Sequence, residues 1–211
     1  MMYILFLLVA IAAYVIGSFN YSIILSTVFM NADIRSKGSG NAGSTNMLRN
    51  YGWSAGAITL LTDFMKTIVA TLGAWSVFYR FFPEYAQTAT AVAGFFCAVG
   101  HCFPVFFNFK GGKGVAVGAM MIMMVDFRSF LVVIAAFIIL VAAFRYISLG
   151  SMAGAASFPI SLAFFTDYTS VADVVTLGFA IAVAVMVISL HAPNIVRLCK
   201  GTESKISLSK K

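Results

Sequence analysis

The sequence contains few charged residues. They make up 10% of its 211 residues, and hydrophobic residues make up 61%. In a soluble domain the corresponding fractions are about 25% and roughly 45–50%. Long apolar runs divided by short polar breaks indicate membrane-spanning helices, because a backbone inside hydrocarbon must satisfy its own N–H and C=O groups. Composition therefore excludes an ordinary soluble domain and predicts an all-α integral membrane protein.

Cysteine is also rare. The three cysteines, Cys97, Cys102 and Cys199, match no metal-ligand spacing and are too scattered to indicate a disulfide framework. The net charge of +7 raises the alternative of nucleic-acid binding. The basic residues, however, lie in short loops and near the chain end, with no basic helix or aromatic-interleaved patch. We therefore predict no nucleic-acid partner.

Seven apolar segments are predicted to form a transmembrane helix bundle, at about 3–29, 53–78, 86–105, 112–125, 129–144, 147–166 and 171–191. The first lacks the basic start and cleavage site of a signal peptide, so we expect it to be retained. The fourth, at ~1.5 Å for each of about 14 residues, reaches ~21 Å of a ~30 Å hydrocarbon core. We expect it to be a partial span within a single membrane domain, 1–211, that ends in a tail, 192–211.

Lysine and arginine are distributed unevenly over the predicted loops. Alternate loops face the same side, and one side receives most of the 14 basic residues: Arg35, Lys37, Arg49, Lys110, Lys113, Arg145, Arg197, Lys200, Lys205, Lys210 and Lys211. The other side receives only Arg80 and Arg128. Because cytoplasmic loops are rich in Lys and Arg, we predict an inner-membrane protein with its N-terminus outside and its C-terminus in the cytoplasm.

Three polar stretches fall on the predicted cytoplasmic side. The first, residues 36–46, is rich in glycine and hydroxyl side chains, so a ligand can approach the backbone closely and consecutive amides can form an anion-binding concavity. Its candidate phosphate-binding residues are Ser39, Asn41, Thr45, Asn46 and, just beyond the stretch, Arg49. The planar guanidinium of an arginine suits a phosphate. The alternative is a flexible Gly/Ser connector.

The second polar stretch, residues 109–116, joins a glycine-rich turn to the short fourth segment. Such a turn places backbone amides, the positive end of a helix dipole and lysine charges at one spot. Its candidate phosphate-binding residues are Lys110, Gly111, Gly112, Lys113 and Gly114. The spacing is not that of a Walker loop, and no strand precedes it. The alternative is a re-entrant turn whose lysines only follow the charge rule for cytoplasmic loops.

The third polar stretch begins at His191. On a continuing helix, His191, Asn194 and Arg197 lie along one face; alternatively, Pro193 begins a separate short helix. The chain has two histidines, and both lie at predicted cytoplasmic helix ends. We predict a functional role for His191, whereas His101 is predicted to orient its loop.

Two acidic residues are predicted to form ion pairs. Asp63 and Lys66 lie at i and i+3 inside the second apolar segment, and intramembrane charges mark either a mutual pair or a functional cavity. We predict a structural pair. Glu203 is predicted to hold the third stretch by pairing with a basic neighbour.

Together these residues resemble the motifs of the bacterial acyl-phosphate:glycerol-3-phosphate acyltransferase family. The matching positions are Gly38-Ser39-Gly40-Asn41, Gly43, Thr45-Asn46 and Arg49; then Gly100-His101, Phe103-Pro104 and Phe109 to Ala116; then His191, Asn194-Ile195, Arg197-Leu198, Gly201-Thr202-Glu203 and Lys205. Ala42 replaces a proline of the family and Ser44 an alanine, while Ala192-Pro193 stands where the family often has polar residues. The first two departures leave the chemistry of the loop intact.

The resemblance implies a seven-helix enzyme of phospholipid biosynthesis that transfers a fatty acyl group from acyl phosphate to the 1-hydroxyl of glycerol 3-phosphate. The products would be lysophosphatidic acid and phosphate. It also implies no metal, no cofactor and no use of acyl-CoA. The expected partners are the two substrates and membrane lipid, with the chain acting as a monomer.

The resemblance also suggests roles for the candidate residues. We expect Arg49, Lys113 and Ser39 to grip the phosphate of glycerol 3-phosphate, and the amides of Gly111, Gly112 and Gly114 to line the same region. His191 and Asn194 would position the attacking hydroxyl. The general base is either His191, whose ordinary pKa suits the role, or the phosphate of the substrate itself.

Two other functions would also use basic residues at a membrane face. A transporter for a phosphorylated molecule also uses broken helices with cationic ends, but it predicts internal symmetry and polar residues at both faces. A scaffold that binds anionic lipid headgroups would explain the basic loops but not the glycines and hydroxyls beside them. The acyltransferase hypothesis accounts for all three polar stretches.

Overall fold

The structure is a computed structural model that describes residues 1–206, and its regular elements in that range are helices. The α-helices are α1 (Met2–Ser18), α2 (Tyr21–Met30), α3 (Ser44–Phe81), α4 (Ala86–Cys102), α5 (Val115–Val125), α6 (Phe127–Phe144), α7 (Ile147–Phe165), α8 (Val171–Leu190) and α9 (Ala192–Cys199). Lys210, Lys211 and the end of the predicted tail lie outside the described residues.

Six helical stretches within residues 1–206 are long and apolar enough to cross a membrane. They are Met2–Met30, Ser44–Phe81, Pro83–Phe107, Phe127–Phe144, Ile147–Phe165 and Val171–Leu190. The 11 residues of α5 form a shorter apolar helix, which at ~1.5 Å per residue is about 16 Å long. The prediction of an all-α integral membrane protein with one short helix is confirmed.

The first predicted segment consists of two helices. α1 ends at Ser18 and α2 begins at Tyr21. Asn20 caps α2, because its Oδ1 atom accepts a hydrogen bond from the backbone N–H of Ile23 across 3.3 Å. The break therefore places a polar side chain and several backbone carbonyls inside an otherwise apolar stretch.

Helix α3 begins nine residues before the predicted segment and bends sharply at Gly52. The backbone there has φ 84° and ψ −177°, a conformation that glycine adopts without the steric cost of a side chain. Residues 44–51 thus form a short helix of their own, and 53–81 form the long span. Trp53, with 77% of its surface exposed, follows the bend directly.

The chain contains two compact units, Met1–Val125 and the residues from Asp126 onward. In the first unit, α4 packs against α1, α3 and α5. Its small side chains Ala89, Ala93 and Ala98 are completely buried, and small residues allow helices in a membrane to approach closely. Helix α4 is therefore the centre of this unit, and its C-terminal end carries His101.

In the second unit, α6 packs against α7, α7 against α8, and the short α9 follows α8. Asp126 caps α6 by accepting from the N–H of Ser129 across 2.6 Å. Ser170 and Asp173 form a capping box at the start of α8. Both caps stabilise helix starts at the end of the unit opposite to α9.

Candidate active site

The first polar loop, residues 33–46, is organised by the buried side chain of Asn46. Its Nδ2 atom donates to the carbonyl oxygens of Lys37 and Asn41 at 3.0 Å each. Its Oδ1 atom accepts from the N–H of Ser39 at 3.1 Å. The amide group of Asn46 is therefore engaged in holding the loop closed, and its direct binding of phosphate stays a prediction.

Other predicted residues of this loop remain at the surface. Ser39 and Arg49 are exposed, and Thr45 is half-buried in the first turn of α3. Thr45 and Arg49 are four residues apart on the short helix 44–51, so they lie on the same helix face. The early start of α3 thus gives a hydroxyl and a guanidinium a fixed helical spacing at the edge of the loop.

The second polar loop, residues 103–114, folds back onto the end of α4. The N–H of Gly111 donates to the carbonyl of Cys102 at 3.0 Å, and that of Gly112 donates to the carbonyl of His101 at 3.1 Å. Both amides are therefore used in holding the turn, and their role in lining a phosphate site stays a prediction. Lys110 is exposed and Lys113 is half-buried at the start of α5.

Glycine at position 112 is required by close packing. A Cβ atom there would collide with Nε2 of His101 and would lie 2.8 Å from the carbonyl oxygen of Ala42. Gly114 has φ +76°, and α5 begins at the next residue. The glycine-rich sequence therefore allows the second polar loop to touch both His101 and the first polar loop.

Two side chains join the polar loops, and neither was predicted as a site residue. Asn20 Nδ2 lies 3.4 Å from the carbonyl oxygens of both Ala42 and His101 and donates to them. Arg35 Nη1 donates to the carbonyls of Phe107 at 2.8 Å and Lys110 at 3.0 Å. One available signal was an asparagine inside an apolar segment, since polar groups at membrane depth usually have a partner.

Asp33 holds the guanidinium of Arg35 in place. Arg35 Nη2 lies 2.6 Å from Asp33 Oδ2, and Nε lies 3.0 Å from both carboxylate oxygens. The hydrogen bond from Arg35 lowers the pKa of Asp33 below its ordinary value of 3.8, against the opposing effect of burial. The carboxylate is therefore charged at neutral pH and fixes the arginine fork against the second polar loop.

The predicted pair of Asp63 and Lys66 is confirmed, and it includes His101. Lys66 Nζ lies 2.9 Å from Asp63 Oδ1, and their side chains are 3% and 2% exposed. His101 Nδ1 lies 3.0 Å from Lys66 Nζ and 3.3 Å from Asp63 Oδ1. Because the carbonyl of His101 accepts from Gly112 and its ring touches that glycine, the contacts agree with its predicted role of orienting the loop.

In the second unit, the carboxylate of Glu203 accepts hydrogen bonds from side chains of the third polar stretch and of α7. Its Oε1 atom accepts from Asn194 Nδ2 at 2.7 Å and from Ser148 Oγ at 2.8 Å, and its Oε2 atom accepts from Arg197 Nε at 2.6 Å. The predicted pairing of Glu203 with a basic neighbour is confirmed. Burial acts to raise the pKa of Glu203, but these hydrogen bonds hold it below its ordinary value of 4.5.

His191 lies between α8 and α9. Pro193 stands in the first turn of α9, so the alternative of a separate short helix is the one observed. The Nδ1 atom of His191 lies 2.7 Å from the carbonyl oxygen of Val187. A carbonyl can only accept, so Nδ1 carries a proton, and Nε2 is the basic nitrogen of the neutral ring.

The described part of the chain, 1–206, contains no group of three or more His, Cys, Asp and Glu side chains that could hold a metal ion. The first unit contains the predicted residues of the first two polar stretches, on loops that Asn20 and Arg35 connect. The second unit brings His191, Asn194 and Arg197 onto the end of α8 and onto α9.

Comparison with known proteins identifies the family. A family model described as glycerol-3-phosphate acyltransferase matches residues 7–201. A relative of that name from Chlorobaculum tepidum is 37% identical, with 98% of each chain covered. One from Coxiella burnetii is also 37% identical, covering 96% of this chain and 99% of the relative.

Solved structures give the same result. The crystal structure of PlsY (YgiH), an integral membrane glycerol 3-phosphate acyltransferase, in its glycerol 3-phosphate form, has a TM-score of 0.84 and 31% identity, with 96% of both chains covered. Its lysophosphatidic acid form has a TM-score of 0.80 and 30% identity, covering 96% of this chain and 95% of that chain. The helices and these likenesses define a multi-pass integral membrane enzyme. The chain belongs to the glycerol-3-phosphate acyltransferase family.

Proposed function

We propose that this protein transfers a fatty acyl group from acyl phosphate to the 1-hydroxyl of glycerol 3-phosphate, releasing lysophosphatidic acid and inorganic phosphate. The family membership supports the acceptor, and the solved relatives are described in glycerol 3-phosphate and lysophosphatidic acid forms. The resemblance of the three sequence motifs to those of the acyl-phosphate-dependent family supports acyl phosphate as the donor. In this role the enzyme would supply lysophosphatidic acid for phospholipid biosynthesis.

One observation carries the proposal: two cation-bearing loops are fastened to each other at one end of the first unit. Asn20 and Arg35 bond across them, Arg49 lies beside the first loop, and Lys110 and Lys113 lie on the second. Each substrate carries a phosphate group, so a site for this reaction needs positive charge for two phosphates close together. Arginine forks and lysine point charges meet that need in complementary ways.

The reaction itself needs little covalent chemistry from the protein. The 1-hydroxyl oxygen attacks the acyl carbonyl carbon, the new C–O ester bond forms, and the bond between the carbonyl carbon and the phosphate oxygen breaks. The phosphate leaves and can carry away the hydroxyl proton, so the atoms and charges balance without a cofactor. Because the donor is a mixed anhydride with a good leaving group, positioning and charge stabilisation can supply much of the rate.

We assign the gripping of the glycerol 3-phosphate phosphate to Ser39, Arg49 and Lys113. Thr45, Asn41, Lys110 and Gly114 complete the proposed phosphate region. The first turns of α3 and α5 support it, because each helix start has backbone N–H groups without a partner inside the helix. Asn46, Gly111 and Gly112 contribute by shaping the loops.

His191 and Asn194 are assigned to the attacking hydroxyl. The contact of Nδ1 with Val187 supports a role for Nε2 as the acceptor of the hydroxyl proton. The bond from Asn194 to Glu203 supports a fixed orientation of its amide group. The substrate phosphate stays the alternative base.

The proposed location is the bacterial cytoplasmic membrane, with the N-terminus outside and the active site at the cytoplasmic face. The uneven distribution of Lys and Arg over the loops supports this orientation. A soluble acceptor would then enter from the cytoplasm, while the chain of the donor would stay in lipid.

The test is an assay of the purified protein with acyl phosphate and glycerol 3-phosphate, following phosphate release by colour reaction and lysophosphatidic acid by mass spectrometry. Both products should appear in equal amounts above the phosphate from spontaneous hydrolysis of acyl phosphate, and no lysophosphatidic acid should form when glycerol 3-phosphate is omitted. Product formed from acyl-CoA but not from acyl phosphate would overturn the donor. Uptake of glycerol 3-phosphate into liposomes without product would favour a transporter. Binding to anionic vesicles without product would favour a scaffold.

A further inference from the structure

A charged network lies buried in the first unit, and its members are not among the residues proposed to bind substrate. Its centre is the pair of Asp63 and Lys66 on α3, with both side chains at most 3% exposed. Charges inside a membrane span are costly, and a buried pair adds little stability compared with apolar residues of similar size. Its contribution to stability therefore does not explain why a charged pair lies at this position, and a role in the geometry of the site would.

Lys66 fastens the end of α1 to α3. Besides Asp63, its Nζ atom donates to the carbonyl oxygens of Gly17 and Phe19 at 3.2 Å each. The last carbonyls of an α-helix have no partner inside the helix, so the ammonium satisfies groups that the break after α1 leaves exposed. The residue that follows Phe19 is Asn20, and Lys66 thus determines where Asn20 lies.

The same pair fixes the ring of His101. Both Lys66 Nζ and Asp63 Oδ1 lie within 3.3 Å of its Nδ1 atom. The ring packs against Gly112, and the carbonyl of His101 accepts from Gly112 N–H. The position of the second polar loop therefore depends on the ring that the pair holds.

Asn20 completes the connection, since its Nδ2 atom donates to Ala42 in the first polar loop and to His101 beside the second. We propose that Asp63, Lys66 and Asn20 are positioning residues that act through His101 and Ala42 to set the separation of the two phosphate-binding loops. The inference rests on the proposed function. It assigns to the buried network the geometry of the site, while substrate contact belongs to the loops themselves.

The main experiment compares single and double removal of the charges. Asp63→Asn leaves the ammonium of Lys66 without its buried counter-charge and should lower the melting temperature. Asp63→Leu combined with Lys66→Met removes both charges at similar volume and should regain part of the melting temperature that Asp63→Asn loses, because no unpaired buried charge is left, although the carbonyls of Gly17 and Phe19 lose their donor. The double variant should still have kcat/KM for glycerol 3-phosphate reduced by about 10- to 100-fold, because the two phosphate-binding loops are no longer held at the correct separation.

A second variant avoids the charges. Asn20→Ser keeps a good cap for α2, since serine and asparagine are comparable at that position, but its hydroxyl is too short to reach both Ala42 and His101. It should lower the melting temperature only modestly, by the loss of the bonds to Ala42 and His101, and should raise KM for glycerol 3-phosphate. The matched control is Gln87→Ala, which removes a hydrogen bond from Gln87 to the carbonyl of Val125 at the opposite end of α4. This control should leave KM unchanged.

Hydrogen–deuterium exchange gives a readout that does not depend on catalysis. Peptides covering residues 36–46 and 108–114 should exchange faster in the double variant and in Asn20→Ser than in the wild type or Gln87→Ala. Faster exchange supports the network even if the wild type does not transfer acyl groups, in which case only the proposed function fails. If the folded double variant matches the wild type in kcat/KM and in loop exchange, or if Gln87→Ala changes both equally, the positioning role is overturned.

Discussion

Arg35 Nη1 donates to the carbonyl oxygen of Phe107 across 2.8 Å, although the two residues are 72 positions apart in sequence. The same guanidinium pairs with Asp33 and reaches Lys110. A single planar group thus bonds to one carboxylate and two carbonyls at once. Arg35 therefore connects the first polar loop directly to the second. Lysine has neither the planar fork nor the number of fixed donors for this arrangement.

Arg35→Lys should therefore preserve the charge but loosen the contact between the loops. We expect kcat/KM for glycerol 3-phosphate to fall by about tenfold, corresponding to ~1.4 kcal/mol of transition-state stabilisation. Steady-state kinetics on the purified variant measures this. The matched control is Arg80→Lys, whose guanidinium lies over the ring of Phe81, 5.7 Å from its centroid. Equal losses in both variants would contradict the linking role.

Gly112→Ala should damage the second polar loop, because the added methyl group would meet the ring of His101 and the carbonyl of Ala42. Overpacking of this kind costs about 1–3 kcal/mol. We expect a lower melting temperature together with a loss of acyl transfer. Gly73→Ala is the control, since a Cβ atom on that glycine of α3 meets nothing within 4 Å. It should be neutral or slightly stabilising, because alanine is the better helix former.

His191→Asn separates anchoring from proton transfer. The asparagine amide can still donate to Val187, but it cannot accept a proton as imidazole does. If His191 is the base, kcat should fall by about 10²- to 10⁴-fold with little change in KM. His191→Ala, which loses both functions, should be at least as slow. Near-normal kcat in either variant would leave the substrate phosphate as the base.

Glu203 should make the stability of the protein depend on pH in the acid range. Its pKa is lowered in the folded state, so its contribution is present above the ordinary value of 4.5 and is lost as the pH falls through the lowered pKa. Glu203→Gln should be less stable than the wild type at pH 7, by about 1–2 kcal/mol. The difference between the two proteins should shrink below pH 4.5.

Thermal unfolding of both proteins over this pH range measures the difference. Asp33 and Asp126 also have lowered pKa values, so both proteins will lose stability in acid. The comparison isolates Glu203, because these two carboxylates are common to both proteins. A constant difference from pH 7 to pH 3 would show that the charge of Glu203 does not matter.

Apolar run length was enough to predict the membrane class and the short helix, because hydrocarbon thickness fixes how many apolar residues a span needs. It was not enough to find the break after α1. Asn20 looks like one polar residue in an apolar run, and its partners are 22 and 81 positions away. Sequence spacing predicts contacts along a helix, whereas these contacts depend on how helices pack.

The glycine-rich signal had two physical meanings that the sequence alone could not separate. Glycine lets a ligand approach a backbone, and it equally lets another part of the chain approach. At Gly111 and Gly112 the second meaning holds, as their bonds to Cys102 and His101 demonstrate. The charged motifs were easier to interpret, since Asp63 with Lys66 and Glu203 with Arg197 are close enough in sequence to pair locally.

The shortness of α5 has a consequence for how the two reactants meet. A helix of about 16 Å leaves roughly 14 Å of a ~30 Å hydrocarbon layer to be covered by other parts of the protein. Backbone at that depth is tolerated only where protein or water surrounds it. In the proposed orientation, the start of α5 would then lie below the membrane surface, where the polar loops surround it. A polar acceptor and a lipid-soluble donor can meet there, each without leaving the phase in which it dissolves.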